Sequence, residues 1–410
     1  MSFAQLGAQR ALPRVFCLSL LMAGVAPAAD SLNVRLIGTC DTPDSAHGVT
    51  VSGDYAYVAD WDSGLRVISL SDIAHPIEVG HCATYSSAWG VAVAGDYAYV
   101  TDKDSGLMVI SVADPANPVE VGRCGTPDRA TSVAVMGNYA YVADDDSGLL
   151  AISVADPAHP TEVGYYDTPG QARDLAVDGG YAYVADFAGG LRVISVADPA
   201  HPVEVGYCDT PSYAEGVAVA GDHAYVANYT AGLRVVSIAD PAHPTEIGYY
   251  DSPGGVDYVA AHGDYAFVSD RPLRLTVVSV ADPAHPVEVG YYGAHNCLGL
   301  SVSGDYVFVA RGQAGLQIYE FYGGGVEELP NAEVRTTRCA PTIVRGVLFL
   351  DDASNDKPQL AGLRDVAGRN VLDLHPGAND VRRLAPGVYF VQEAQARVQA
   401  HAVRKIIVSR

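Results

Sequence analysis

One unit is copied along most of this chain. Gly190–Gly206, GLRVISVADPAHPVEVG, recurs as near-copies from Gly64, Gly106, Gly148 and Gly232, and more loosely from Arg274, at a step of 42 residues. A short unit repeated end to end buries its apolar face only against its neighbours, so the repeat sets the architecture before any single residue does. Within each unit a Gly-Asp-type turn marks the phase: Gly53-Asp54, Gly95-Asp96, Gly137-Asn138, Gly179-Gly180, Gly221-Asp222, Gly263-Asp264 and Gly304-Asp305.

Four short strands are expected per unit. In one copy they are Val91–Ala94, Tyr97–Val100, Leu107–Val112 and Val119–Gly122. The runs are rich in Val, Ile and Tyr, which suit a pleated surface. They are punctuated by Gly-Asp and Asp-Pro, which preset turn dihedrals or bond their own backbone. Proline before the fourth strand lacks an amide donor and belongs at a strand start or edge. No window sustains the i, i+3, i+4 spacing of a helix.

Four antiparallel strands in such a span make one β-propeller blade. The last unit has strands at Leu298–Ser303, Tyr306–Ala310 and Leu316–Phe321, and then Gly323-Gly324-Gly325 replaces the proline turn and the fourth strand. Near the other end, Asn33–Gly38 followed by Cys40-Asp41-Thr42-Pro43 matches Val203–Gly206 followed by Cys208-Asp209-Thr210-Pro211. The early strand is therefore expected to complete the last blade and close an all-β, seven-bladed ring without an open edge. An open β-solenoid is the alternative, but it does not call for complementary ends. The motif Gly-Leu-Arg-Val-Ile-Ser-Val with Ala-Asp-Pro-Ala-His-Pro-Val-Glu-Val-Gly resembles the LVIVD repeat of bacterial and archaeal surface propellers, over about residues 33–322. That resemblance implies a secreted or cell-surface module.

Residues 1–29 read as an export signal: Arg10 and Arg14 precede the apolar run Val15–Val25, and Ala26-Pro27-Ala28 offers small residues for cleavage. That run is short for a membrane span, and no later segment is long enough for one. The formal net charge is −23, from 25 Lys and Arg against 48 Asp and Glu, which disfavours nucleic acid and anionic lipid. Cys40, Cys82, Cys124 and Cys208 share one repeat position, where Tyr166, Tyr250 and Tyr292 stand elsewhere, so free or packed thiols are expected rather than disulfides. Cys297 and Cys339 fall outside that series.

After the ring (30–322) comes a linker, 323–341, and then a second β pattern, 342–410. Asp365-Val366-Ala367-Gly368-Arg369-Asn370-Val371, Leu384-Ala385-Pro386-Gly387-Val388-Tyr389-Phe390-Val391 and Lys405-Ile406-Ile407-Val408 resemble the C-terminal sorting domain of type IX secretion cargo, a small immunoglobulin-like sandwich. The Ala- and Gln-rich spacer Gln392–His401 departs from it. The resemblance implies the type IX secretion machinery as a partner and an outer-surface or secreted location.

Candidate site residues come from where the repeat varies. Six residues before each phase-marking Gly the series runs His47, Trp89, Thr131, Arg173, Glu215, Asp257, Leu298, among near-constant neighbours. This position opens the innermost strand and should ring one mouth of the channel. The turns between second and third strands lie on that face and carry Asp60, Asp62, Asp102, Asp104, Asp144, Asp145, Asp146 and Asp186. Asp-x-Asp-Ser-Gly is a fragment of calcium loops, yet it lacks their later Glu and also suits an ordinary turn. His75, His159, His201, His243 and His285 sit in proline turns on the other face, too far apart for a shared metal. The Tyr pairs of the second strands read as packing residues. No nucleophile elbow, metal-protease helix or phosphate loop occurs. The reading favours a non-enzymatic scaffold binding protein or glycan at the varied mouth. The alternative is a polysaccharide lyase or hydrolase using His47, Arg173, Glu215 and Asp257; a purely structural spacer is the third option.

Overall fold

The structure, a computed structural model, describes residues 31–271, 274–293 and 296–322, together with the strands between 342 and 408. The export segment 1–29, the linker 323–341, Cys339, the hairpin turn Ala367-Gly368 and most of the spacer before the last strand lie outside the described residues. The chain divides into two units, Met1–Gly323 and Gly324–Arg410.

The first unit is a seven-bladed β-propeller. Blade one comprises Gly48–Ser52, Tyr55–Ala59, Leu65–Ser69 and Ile77–Cys82, paired in that order from the channel outward. Blades two to six repeat the arrangement; the fifth is Gly216–Ala220, His223–Ala227, Leu233–Ser237 and Thr245–Tyr250. Blade seven is Gly299–Ser303, Tyr306–Ala310 and Leu316–Phe321, and its outer strand is Val34–Cys40, antiparallel to Leu316–Phe321 with Val34 opposite Phe321 and Cys40 opposite Leu316. The complementary ends of the repeat thus meet as expected.

The core lies between blades rather than within them. Tyr57, Leu65 and Val67 of blade one pack on Ala98, Val100, Met108 and Ile110 of blade two, and the same cluster recurs around the ring. The joint of blades seven and one closes it with Cys40, Val58, Ile68, Phe308 and Ile318. Each inner sheet is covered on both faces, which is why second and third strands read as unbroken apolar runs. Tyr57, Tyr99, Tyr141, Tyr183 and Tyr225 are all buried at one repeat position, so the repeated tyrosines are blade–blade packing. Burying a side chain of this class contributes roughly 1.5–3 kcal/mol relative to exposure.

The outer strands carry a bulge just before a glycine, as between Glu120 and Gly122. A Cβ on Gly80 would stand 2.2 Å from the Pro115 carbonyl oxygen, and one on Gly122 2.3 Å from that of Pro157. Each proline turn therefore nests on the preceding blade's bulge glycine. Blade seven has no such turn. In its place Ser31–Leu32 pairs with Tyr291–Tyr292 as a fifth strand of blade six, and the Leu32 carbonyl covers Gly290. The sequence reading missed this short strand.

The proline turns are closed locally. His75, His159, His201, His243 and His285 each bond through Nδ1 to the aspartate three residues earlier, at 2.9–3.0 Å, on the exposed face. Cys40, Cys82, Cys124, Cys208 and Cys297 are not disulfide-bonded, and burial pushes the Cys297 thiol up to about 12. Among the described residues no helix is long and apolar enough to cross a membrane. The second unit is described as strands only: Thr342–Val344, Ala361–Asp365, Asn370–Leu374, Gly387–Glu393 and Val403–Val408 form one sheet, and Val347–Leu350 pairs with Gly377–Asp380.

Candidate functional site

Three repeat positions converge at one mouth of the channel. The first is the predicted series. His47, Thr131, Arg173, Glu215 and Leu298 each donate a backbone N–H to the last residue of the neighbouring second strand, which fixes their Cα atoms in a ring. All seven members line one cavity of about 670 Å³. The second series was not anticipated. It is the residue after the turn aspartate, whose place is taken by Asn228 in blade five and Arg311 in blade seven: Trp61, Lys103, Asp145, Phe187, Tyr229, Arg271 and Gly312. Trp61, Asp145, Phe187 and Tyr229 hold φ of 39–45°, a left-handed conformation that side chains of this size rarely adopt. Backbone bridges over-determine it: Trp61 pairs with Ala88, Asp145 with Ala172, Phe187 with Ala214 and Tyr229 with Val256, each on the next blade. Of these, Phe187 and Tyr229 line the cavity, and Trp61 and Asp145 lie against His47 and Arg173 of the first series. The third series, Ser45, Ser87, Arg129, Gln171, Tyr213, Gly255 and Asn296, stands two residues before the first.

These positions build two aromatic groups. His47 stacks on Trp61 at 4.5 Å and Trp89 lies 5.3 Å from Trp61, with the Lys103 ammonium 5.3 Å from both indole centroids. Burial, with Arg271 and Lys103 nearby, lowers the His47 pKa to about 4, so its imidazole is neutral at physiological pH. On blades four and five, Phe187 stacks on Tyr213 at 4.1 Å and 6°, and Tyr229 lies 6.3 Å from Tyr213. A Cβ on Gly255 would stand 3.1 Å from Tyr229, so the third series is glycine where the Tyr229 ring rests on it.

The charged lining is mostly paired. Arg173 donates to Gln171 at 2.7 Å, lies 3.6 Å from Asp145, and sits over the Phe187 ring at 5.0 Å. Asp257 is buried and ion-paired with Arg271. Asp174 accepts from the Ser132 hydroxyl and the Val217 N–H, tying three blades together. Burial and the Asp257 charge push the Glu215 pKa up, against the pull of Arg173 and Arg271. Thr131, predicted to face a ligand, spends its hydroxyl on the carbonyls of Ala143 and Ala172 and is buried.

The turn aspartates do two different things. The first of each turn points back into the protein. Asp60 accepts from the Thr42 hydroxyl and Asp44 N–H, Asp102 from the Tyr85 and Ser86 N–H groups, Asp144 from Asp128 N–H and Asp186 from Gly170 N–H. Burial raises the pKa of all four. The second aspartate is nearer solvent and bonds to side chains: Asp62 to Ser87, Asp104 to Ser86, Asp146 to Gln171. Among the described residues no three His, Cys, Asp or Glu side chains are grouped to hold a metal ion.

Comparisons with known proteins fit this geometry. A family model described as the LVIVD repeat matches seven times, at residues 43–84, 86–126, 128–168, 169–210, 211–252, 253–293 and 296–319. Among solved structures, the computationally designed Ika8 protein is similar at 8% identity and a TM-score of 0.52, over 70% of this chain and 99% of that one. U3-55K is similar at 13% identity and a TM-score of 0.58, over 70% and 98%. A chain of the mitotic checkpoint complex is similar at 11% identity and a TM-score of 0.61, over 78% and 100%. At these identities the likeness shows the fold alone. A search of curated proteins finds no match.

Proposed function

The chain belongs to the LVIVD repeat family, and from that premise we propose that it is a secreted or cell-surface interaction scaffold that holds a protein or glycan partner at the variable mouth of its propeller. One observation carries the proposal. Residues that differ from blade to blade gather around a single cavity, while the opposite face repeats one aspartate-locked proline turn, closed by His in five blades and by Asn117 in blade two. A ring that needed only to close would have no reason to confine its variation to one mouth. Aromatic walls over a few converging charged groups are the usual make-up of a recognition site. A hydrolase would require two available carboxylates. The ion pair of Asp257 with Arg271 favours binding over that chemistry.

The export signal 1–29 and the sorting-like region 342–410 support delivery across the outer membrane by the type IX secretion machinery. Removal of 342–410 is expected to leave the protein inside the cell envelope. The binding test is a glycan and protein array probed with the full chain, with calcium or with chelator. Capture should be lost on Trp89→Ala or Arg173→Ala and kept on His159→Ala at the opposite face. Calcium-dependent capture would assign the Asp-x-Asp turns to metal binding; equal loss from both faces would refute the scaffold reading.

A further inference from the structure

We propose that blade five carries a site for an organic cation, an ammonium or methylated ammonium group, formed by the rings of Tyr213 and Tyr229 with the carboxylate of Glu215. The inference rests on the proposed binding role of the variable mouth and names the chemistry of what enters it. All three residues line the same cavity and come from the variable positions of one blade.

Charge accounting singles out Glu215. The lining holds three carboxylates, Asp174, Glu215 and Asp257, against two guanidiniums, Arg173 and Arg271. Arg271 is taken by Asp257, Arg173 by Asp145 and Gln171, and Asp174 by Ser132 and a backbone N–H. His47 is neutral and supplies no cation. Glu215 alone among these has no hydrogen-bond or ion-pair partner among the described residues, although it is half-buried. Its carboxylate is not among the buried, unpartnered side-chain oxygens, so it opens to the mouth and is available to pair with a ligand cation.

The walls suit the same guest. Tyr213 and Tyr229 are 45% and 39% exposed, so their rings present open surface at the mouth. Aromatic faces attract alkylammonium groups within about 6 Å of the ring centroid. The far side of this mouth already shows the contact: Lys103 places its ammonium against Trp61 and Trp89. That cage is filled by the chain itself, whereas among the described residues no Lys or Arg lies over the Tyr213 or Tyr229 ring. Phe187 supports the cage by stacking on Tyr213 while it carries the Arg173 guanidinium.

The test is isothermal titration of the full chain at low salt with choline, n-butylammonium and N-acetyl-lysine methylamide, against the neutral choline isostere 3,3-dimethylbutan-1-ol. The cations should bind at least about tenfold more tightly than the neutral isostere, the range expected for a desolvated cation–π contact with a charge partner. Glu215→Gln, which keeps the shape and hydrogen-bonding capacity, should weaken cation binding by a similar factor, and Tyr213→Ala or Tyr229→Ala several-fold. The parent comparison of cation with isostere needs no variant to fold. Equal binding of choline and its isostere, or an unchanged Glu215→Gln, overturns the proposal. Preference for the lysine derivative over choline assigns the source to a protein side chain; the reverse assigns it to a methylated amine. Array capture lost at Trp89→Ala without any cation selectivity would keep the scaffold and remove the cation site; cation selectivity without array capture would do the opposite.

Discussion

The first aspartate of each turn offers the sharpest test, because the protein contains its own control. At the repeat position of Asp102, blade five has Asn228. Its Oδ1 accepts from Ser212 N–H, as Asp102 accepts from Ser86 N–H, and its Nδ2 donates to the Thr210 hydroxyl and the Ser212 carbonyl. Asp102 uses Oδ2 for the Tyr85 and Ser86 N–H groups, at 2.8 and 3.0 Å, and leaves a buried Oδ1 without a partner. Thr84 and Ser86 stand where Thr210 and Ser212 stand in blade five, so an asparagine amide has its acceptors in place. Asp102→Asn is therefore expected to lie within about 1 kcal/mol of the parent. Asp102→Ala removes both acceptor contacts and orphans two N–H groups. After the relief of burying a charge, the net loss is about 2–3 kcal/mol, or roughly 3–5 °C in Tm for a domain of this size.

The pH dependence has a definite sign. Burial raises the folded-state pKa of Asp102. Its contribution is complete below the unfolded value of about 3.9 and declines as pH rises through the folded value. Asparagine does not titrate, so its advantage over aspartate should widen as pH rises above the unfolded aspartate value of about 3.9. Urea unfolding of the full chain, followed by near-UV circular dichroism as pH is raised, measures it. If asparagine proves as damaging as alanine, the carboxylate charge is required, and the clamp argument gives way to a metal-binding one.

Three further outcomes are expected. Gly106 has φ of 85° and a Cβ there would stand 2.5 Å from the Cys124 carbonyl oxygen, whereas Gly95 has φ of 59° and open space. In urea titrations Gly95→Ala should cost about 1 kcal/mol and Gly106→Ala on the order of 3 kcal/mol or more. Val34→Asp places a charge in the joint of blades six and seven and should destabilise by more than about 4 kcal/mol, while Ile77→Asp on an exposed outer strand stays within about 0.5 kcal/mol; thermal melts distinguish them. His47 should titrate by NMR near its value of about 4, rising in Arg271→Ala and Lys103→Ala, and its environment should lose stability as pH falls from the unfolded value of about 6.5.

Much of this molecule is legible before folding because repetition acts as a ruler. Glycine, proline and valine recur at fixed offsets, and the offsets give strands, turns and the split last blade. The variable first series is legible for the same reason: His47, Trp89 and Arg173 interrupt uniform surroundings. Trp61, Lys103 and Tyr229 vary as strongly, but they sit inside turns that read as generic Asp-Gly punctuation. The placement of Trp61 and Tyr229 depends on a left-handed backbone held by the next blade, which no local pattern encodes. The same variability criterion, applied to the turn and to the position of Tyr213, would have found them. Thr131 lines the cavity, but its hydroxyl turns to the Ala143 and Ala172 carbonyls, a choice set partly by the neighbouring blade and not legible in the repeat. Ser31–Leu32 was hidden because two residues carry no period, and their place is set by a turn that blade seven lacks.

The split blade also fixes the order in which the ring can form. Val34–Cys40 is synthesised before every blade strand except the short Ser31–Leu32, yet its partner Leu316–Phe321 comes last in the ring. Loop-closure entropy grows only by about 0.6 kcal/mol per doubling of length, so the finished ring loses little by joining such distant strands. The delay is kinetic: long-range pairing is slow, and six blades can assemble while the early strand waits unpaired. A chain with this permutation stays open until its seventh repeat is available, which leaves an interval for unfolded transport or chaperone capture before the final register locks.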